Sequence, residues 1–201
     1  MIGHKNWGLI IVRHRVVRPQ RQLTMKWFLS TAGVLLIVAA TFAVHEASHA
    51  VTGHLLGYQM YARINSSGLE AGEYRSNCDR DLVTAAGPLV TLLQGLVGAA
   101  IAVRYKWHPA LTAVLAALMM RVLAAVASLS TPNDEASLGL SWGIGYWTIH
   151  GAVILILLLL TIATVKRVGY ERSGVLSTLG IICLGMAVIV VTEPYLPALN
   201  L

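Results

Sequence analysis

His45-Glu46-Ala47-Ser48-His49 is the segment of this chain best suited to chemistry, and it spells H-E-x-x-H. On a helix, positions i and i+4 share a face, so both imidazoles can aim a ring nitrogen at one metal ion. Glu46 lies about 100° round such a helix, where a general base for an attacking water belongs. The plainer alternative is a polar helix end at a membrane interface. Zinc in a hydrolase usually has three protein ligands plus water, so two histidines demand a third ligand. The acids that can supply it are few. Glu70, Glu73, Asp79 and Asp81 follow the motif closely, Asp134 and Glu135 lie far downstream, and Glu171 and Glu193 come last.

The elements that must position these residues are membrane spans. Of 201 residues, 56% are hydrophobic and only 12% charged, and the mean hydropathy is +0.68. Soluble domains carry roughly 25% charged residues, so the composition predicts an all-α polytopic membrane protein. Five segments reach the length needed to cross a bilayer. They begin with Phe28 to about Leu56, Leu82–Val103 and Pro109–Leu129. The fourth starts between Leu140 and His150 and ends at Val165, and the fifth is Gly174–Thr192. An ionisable motif inside the first span is costly to bury and points to a use. The motif lies at the exit end of span one, span two starts on that side, and span three returns to it. Asp134 and Glu135 therefore emerge beside the histidines whichever way the chain inserts, whereas Glu171 is on the far side. Asp134 is the preferred third ligand, with Glu135 as the alternative.

Charge sets the expected orientation. Six basic residues precede Trp27, two lie in Arg104–His108 and three in Lys166–Ser173. Only Arg63, Arg75 and Arg80 fall on the opposite side. Eleven against three places the N-terminus in the cytoplasm and the C-terminus extracytoplasmic or lumenal. The net charge of +6 is thus explained by topology, and no nucleic-acid partner is expected. Residues 1–26 form a basic cytoplasmic arm, read as either interfacial or disordered, and residues 27–201 a single transmembrane domain. The arm is not read as a cleaved secretory signal, because the apolar run is long and no small-x-small site follows it. Cys78 and Cys183 give no disulfide framework.

Several other residues have two readings. The polar segment 57–81 is an irregular loop or a short β-ribbon, with Tyr58, Met60, Ala62 and Ile64 on one face and a turn at Ser66-Ser67-Gly68. A ribbon edge could receive an unwound substrate segment by strand addition. Arg121, mid-span, is a partner for Glu46, Asp134 or Glu135, an oxyanion donor, or an interhelical hydrogen bond. Asn133 is an oxyanion donor or a helix cap. His54, nine residues from His45, faces away from the motif, and His150 is structural or approaches the site. Gly53, Gly57, Gly95 and Gly98 suit close packing. Pro88 starts or kinks span two.

Taken in order, these residues resemble the site-2 protease family of intramembrane zinc metalloproteases (peptidase family M50). His45-Glu46-Ala47-Ser48-His49 in an apolar helix matches its first motif. Ala86-Gly87-Pro88, opening the next span, resembles its Gly-Pro motif, and Asp134 resembles the aspartate that completes its zinc site. The likeness covers about residues 30–140, leaving residues 141–192 as C-terminal helices. Thr91 stands where the family usually has asparagine, and Asn133-Asp134-Glu135 replaces its common Leu-Asp-Gly. The charge count also puts the site toward the outer side, whereas many members place it nearer the cytoplasm. The resemblance implies one Zn2+ ion held by His45, His49 and Asp134, with Glu46 as the base that later protonates the leaving amine. Beside it, the residues' own chemistry leaves Arg121 and Asn133 as oxyanion donors or structural supports, and Gly87 and Pro88 as substrate-access or packing residues. The implied substrate is a membrane-anchored protein cut in or near its span, within the lipid bilayer. The alternatives are a non-catalytic metal-binding or structural protein of the same fold, and a small transporter, which the lack of an internal repeat disfavours.

Overall fold

The computed structural model describes residues 20–200, with side chains from Ser30 onward. Residues 1–19, most of the basic arm, lie outside the described residues. Helix α1 runs Gln20–Leu55, strands β1 and β2 cover Met60–Ala62 and Ser67–Leu69, and α2 spans Asn77–Tyr105. Then come α3 (His108–Ala127), α4 (Asp134–Ser141), α5 (Thr148–Val168), α6 (Arg172–Thr192), a single 3-10 turn (Glu193–Tyr195) and β3 (Leu199–Asn200). Among the described residues, five helices are long and apolar enough to cross a membrane: Ser30–Leu55, α2, α3, α5 and Arg172–Tyr195. The protein is a multi-pass, helical integral membrane protein.

Outward faces agree with that setting. Leu155, Ile156 and Leu159 of α5 and Leu176, Leu184 and Val188 of α6 are exposed. Exposed Tyr105 and Trp107 join α2 to α3 at one end, and exposed Trp142, Trp147 and Tyr195 lie at the other ends of the spans, as expected of interfacial aromatic belts. The core gathers Val34, Val38 and Phe42 of α1, Leu111, Leu115 and Met120 of α3, and Ile182 and Met186 of α6. The most enclosed span is α3. Small residues bring helices together: a Cβ on Gly98 would lie 3.0 Å from the Ala110 carbonyl oxygen, and one on Gly95 would lie 2.6 Å from Leu157.

Three local expectations need correction. Gly57 does not pack a helix; a Cβ there would meet nothing within 4 Å. Its φ of 84° instead ends α1, with Gly57 N–H bonded to His54 O at 2.9 Å and Tyr58 N–H to Gly53 O at 3.1 Å, the bonding of a Schellman stop. Gly-Pro does not open span two, because α2 begins at Asn77 with Ser76 accepting from the Asp79 N–H. Pro88 thus sits about three turns in, where it removes the hydrogen bond to the Thr84 carbonyl. The hairpin turn is at Arg63–Ser66, closed by Arg63 N–H to Ser66 O at 2.7 Å, so Ser67 and Gly68 belong to β2.

The three strands pair antiparallel in the order β2-β1-β3, with Ala62 opposite Ser67 on one side and Leu199 on the other. Met60 and Ala62 of β1 bury themselves against Ala50 of α1 and Val83 of α2. The ribbon is therefore pinned to the helices that flank the motif. Both edges of β1 are filled, and among the described residues the outer edges belong to β2 and the two-residue β3.

Candidate metal centre

Helix α1 carries His45 and His49 one turn apart, with ring centroids 4.8 Å apart and planes at 87°. Leu55 ends the helix six residues beyond His49, or about 9 Å along its axis. The motif therefore lies within the span and not at its rim. Helix α2 supplies the seat. A Cβ on Gly87 would overlap both imidazoles, so only glycine lets α2 approach this closely.

The same helix fixes the tautomers. Thr91 Oγ1 donates to Gly87 O at 3.0 Å, so it accepts from His45 Nδ1–H at 3.1 Å. His49 Nδ1–H donates to Val83 O at 2.6 Å. Both Nε2 lone pairs are thereby left facing inward, 3.2 Å apart. Thr91 is one turn from Gly87 and so on its face. That spacing, and its place where the resembled family usually has asparagine, were the sequence signals for its role.

Asp134, the first residue of α4, completes the group. Its Oδ2 lies 3.2 Å from His45 Nε2 and 3.5 Å from His49 Nε2. Three acceptor atoms thus converge, a donor set that calls for a cation. The edges of 3.2, 3.2 and 3.5 Å are close to the roughly 3.3 Å between ligands about 2.0–2.1 Å from a tetrahedral zinc. These residues fit a zinc ion.

Asn133 accepts from the Asp134 N–H through Oδ1 at 2.8 Å, capping α4. The other end of α4 is tethered to α2: Ser141 Oγ and Trp142 Nε1 both donate to Asp81 Oδ2, at 2.6 and 3.1 Å. Asp79 pairs with Tyr58 and Arg75, so Asp79 and Asp81, both on α2, are engaged away from the histidines.

Glu135 turns the other way from Asp134. Its Oε1 accepts from Arg121 NH1 at 2.9 Å, and its Oε2 lies 3.7 Å from His150 Nδ1. His150 Nε2–H donates to Ser128 Oγ at 2.9 Å, since that hydroxyl donates to Ala124 O. The Arg121 NH2 group is almost equidistant from the two ring nitrogens of His45, at 3.4 and 3.5 Å. His54 is exposed on the far side of α1.

Glu46 accepts from Ser67 Oγ on β2 at 2.7 Å, a contact no spacing in the sequence announces. The hairpin is held in turn by Glu193, which accepts from Ser66 Oγ at 2.6 Å and lies 3.7 Å from Arg63. Glu46, the two histidines, Ser67, Asn133 and Asp134 line one cavity of about 380 Å³.

No curated protein and no solved structure matches the chain. The family whose description is Peptidase M50B-like matches residues 16–132, stopping two residues before Asp134. That stretch is more than half of the chain and contains the histidine motif and the Gly87 seat, and the chain belongs to this family of site-2 protease (M50) peptidases.

Proposed function

We propose that the protein is an intramembrane metalloprotease that hydrolyses a peptide bond in or near the membrane segment of a membrane-anchored protein. The observation that carries this reading is the convergence of His45 Nε2, His49 Nε2 and Asp134 Oδ2 on a cavity that Glu46 shares. A zinc ion bound by these three residues would polarise the scissile carbonyl and acidify water. Glu46 takes the proton of the attacking water and passes it to the leaving amine. Ser67 orients the Glu46 carboxylate through its 2.7 Å hydrogen bond. Thr91 and Val83 hold each imidazole in the tautomer that offers Nε2 to the ion. The cavity, lined by Asn65, Ser66 and Ser67 of the hairpin as well as by the site residues, would give water a polar route to the ion. A protein that merely stores metal has no need of a base in that cavity, which favours the enzyme over a non-catalytic relative.

The reading assigns the catalytic core to about residues 30–140, with α5 and α6 as its C-terminal helices and the basic arm at the cytoplasmic surface. Zinc measured in the purified full chain is expected at one ion per protein, and lost in His45→Ala, His49→Ala and Asp134→Ala. Stoichiometric zinc in Asp134→Ala would move the third ligand elsewhere. Orientation has its own check. A fluorescent reporter that folds only in the cytoplasm, fused after Leu201, is expected to stay dark, and a bright fusion reverses the N-in, C-out assignment.

A further inference from the structure

Two carboxylates adjacent in sequence face one buried guanidinium. Arg121 is 1% exposed and Glu135 0%. The same NH1 atom lies 2.9 Å from Glu135 Oε1 and 3.9 Å from Asp134 Oδ2. Arg121 NH2 lies 3.4 and 3.5 Å from the two ring nitrogens of His45, so the guanidinium stands beside two of the three donors. A cation this close to a metal site is a competitor for its carboxylate. In a low-dielectric interior an unpaired guanidinium takes the nearest anion, and after Glu135 that anion is Asp134, 1.0 Å farther away. The Arg121 Nε atom has no hydrogen-bond partner among the described residues, so no bond at Nε ties the guanidinium to its present orientation.

We propose that Glu135 is a positioning residue for the metal centre: by engaging Arg121 it keeps Asp134 Oδ2 free for the ion. The inference rests on the reading of His45, His49 and Asp134 as metal ligands. It differs from a role in folding alone, because a Glu135→Leu protein that folds should still bind Zn2+ more weakly. Replacing both members of a buried ion pair with apolar residues is often neutral for stability, whereas removing one leaves a buried charge.

The test measures Zn2+ affinity of the detergent-solubilised full chain by competition with a chromophoric chelator. The visible absorption of the Co2+-loaded protein serves as a second readout of ligand geometry. Glu135→Leu is expected to weaken Zn2+ binding about 10–100-fold, the usual effect of losing an outer partner, and to reduce the Co2+ bands. Arg121→Met/Glu135→Leu is expected to return both to near the wild-type values. Unchanged affinity in folded Glu135→Leu overturns the proposal. So does a double variant as weak as the single one, which would make the pair a structural brace. If Glu135→Leu fails to fold, the double variant decides alone: near-wild-type affinity supports the proposal and weak binding overturns it. A wild-type chain that binds no Zn2+ removes the metal reading itself, and this inference with it.

Discussion

Glu46→Gln is expected to lower proteolysis of a reconstituted single-span substrate by about 10²–10⁴-fold, the usual contribution of a general base, while zinc content stays at the wild-type level. The two effects separate because Glu46 is not among the three converging donors. Glutamine keeps the size of the side chain and an oxygen that can accept from Ser67 Oγ, so the hairpin contact survives. What is lost is the capacity to take a proton. Full proteolysis by this variant would remove Glu46 from the mechanism, and loss of zinc would make it a ligand.

Gly87→Ala, in contrast, is expected to cost the metal as well as the cleavage. Alanine is the better helix former by about 1 kcal/mol, so propensity favours the change. Sterics oppose it far more strongly, since the new methyl would overlap both His45 and His49. Neither ring can yield cheaply: Thr91 holds one and the Val83 carbonyl the other. Zinc affinity is expected to fall at least as far as for loss of an outer partner, about 100-fold, with loss of cleavage. Gly180→Ala is the control, because a Cβ there meets nothing within 4 Å. Normal zinc binding by Gly87→Ala would mean that α2 stands farther from α1 than described.

The five spans and the motif were legible in the sequence because both are periodic or compositional. So was the side on which Asp134 emerges, since topology alone decides it. Which of two adjacent acids faces the histidines was not. Consecutive helical residues point about 100° apart, and the choice between Asp134 and Glu135 depends on where α4 starts. Asn133 sets that start by capping the helix, and Asp81 holds its far end. Ser67 on Glu46, Glu193 on Ser66 and β3 beside β1 were equally hidden, because each joins parts of the chain that have no shared pattern. Gly87 was noticed as half of a dipeptide, and its purpose emerged only with the two rings against it.

Two donors ride on a 36-residue helix, and the third begins an eight-residue helix outside the spans. An ion bound by all three is therefore a cross-link between separate bodies, joining span to connector across 85 residues of chain from His49 to Asp134. Ligands that bind only the folded state stabilise it by mass action, by about 2.7 kcal/mol at 100 times the dissociation constant. Under this reading the zinc that equips the site for hydrolysis also fastens α4 to α1, and chelation would loosen the fold as well as silence the chemistry.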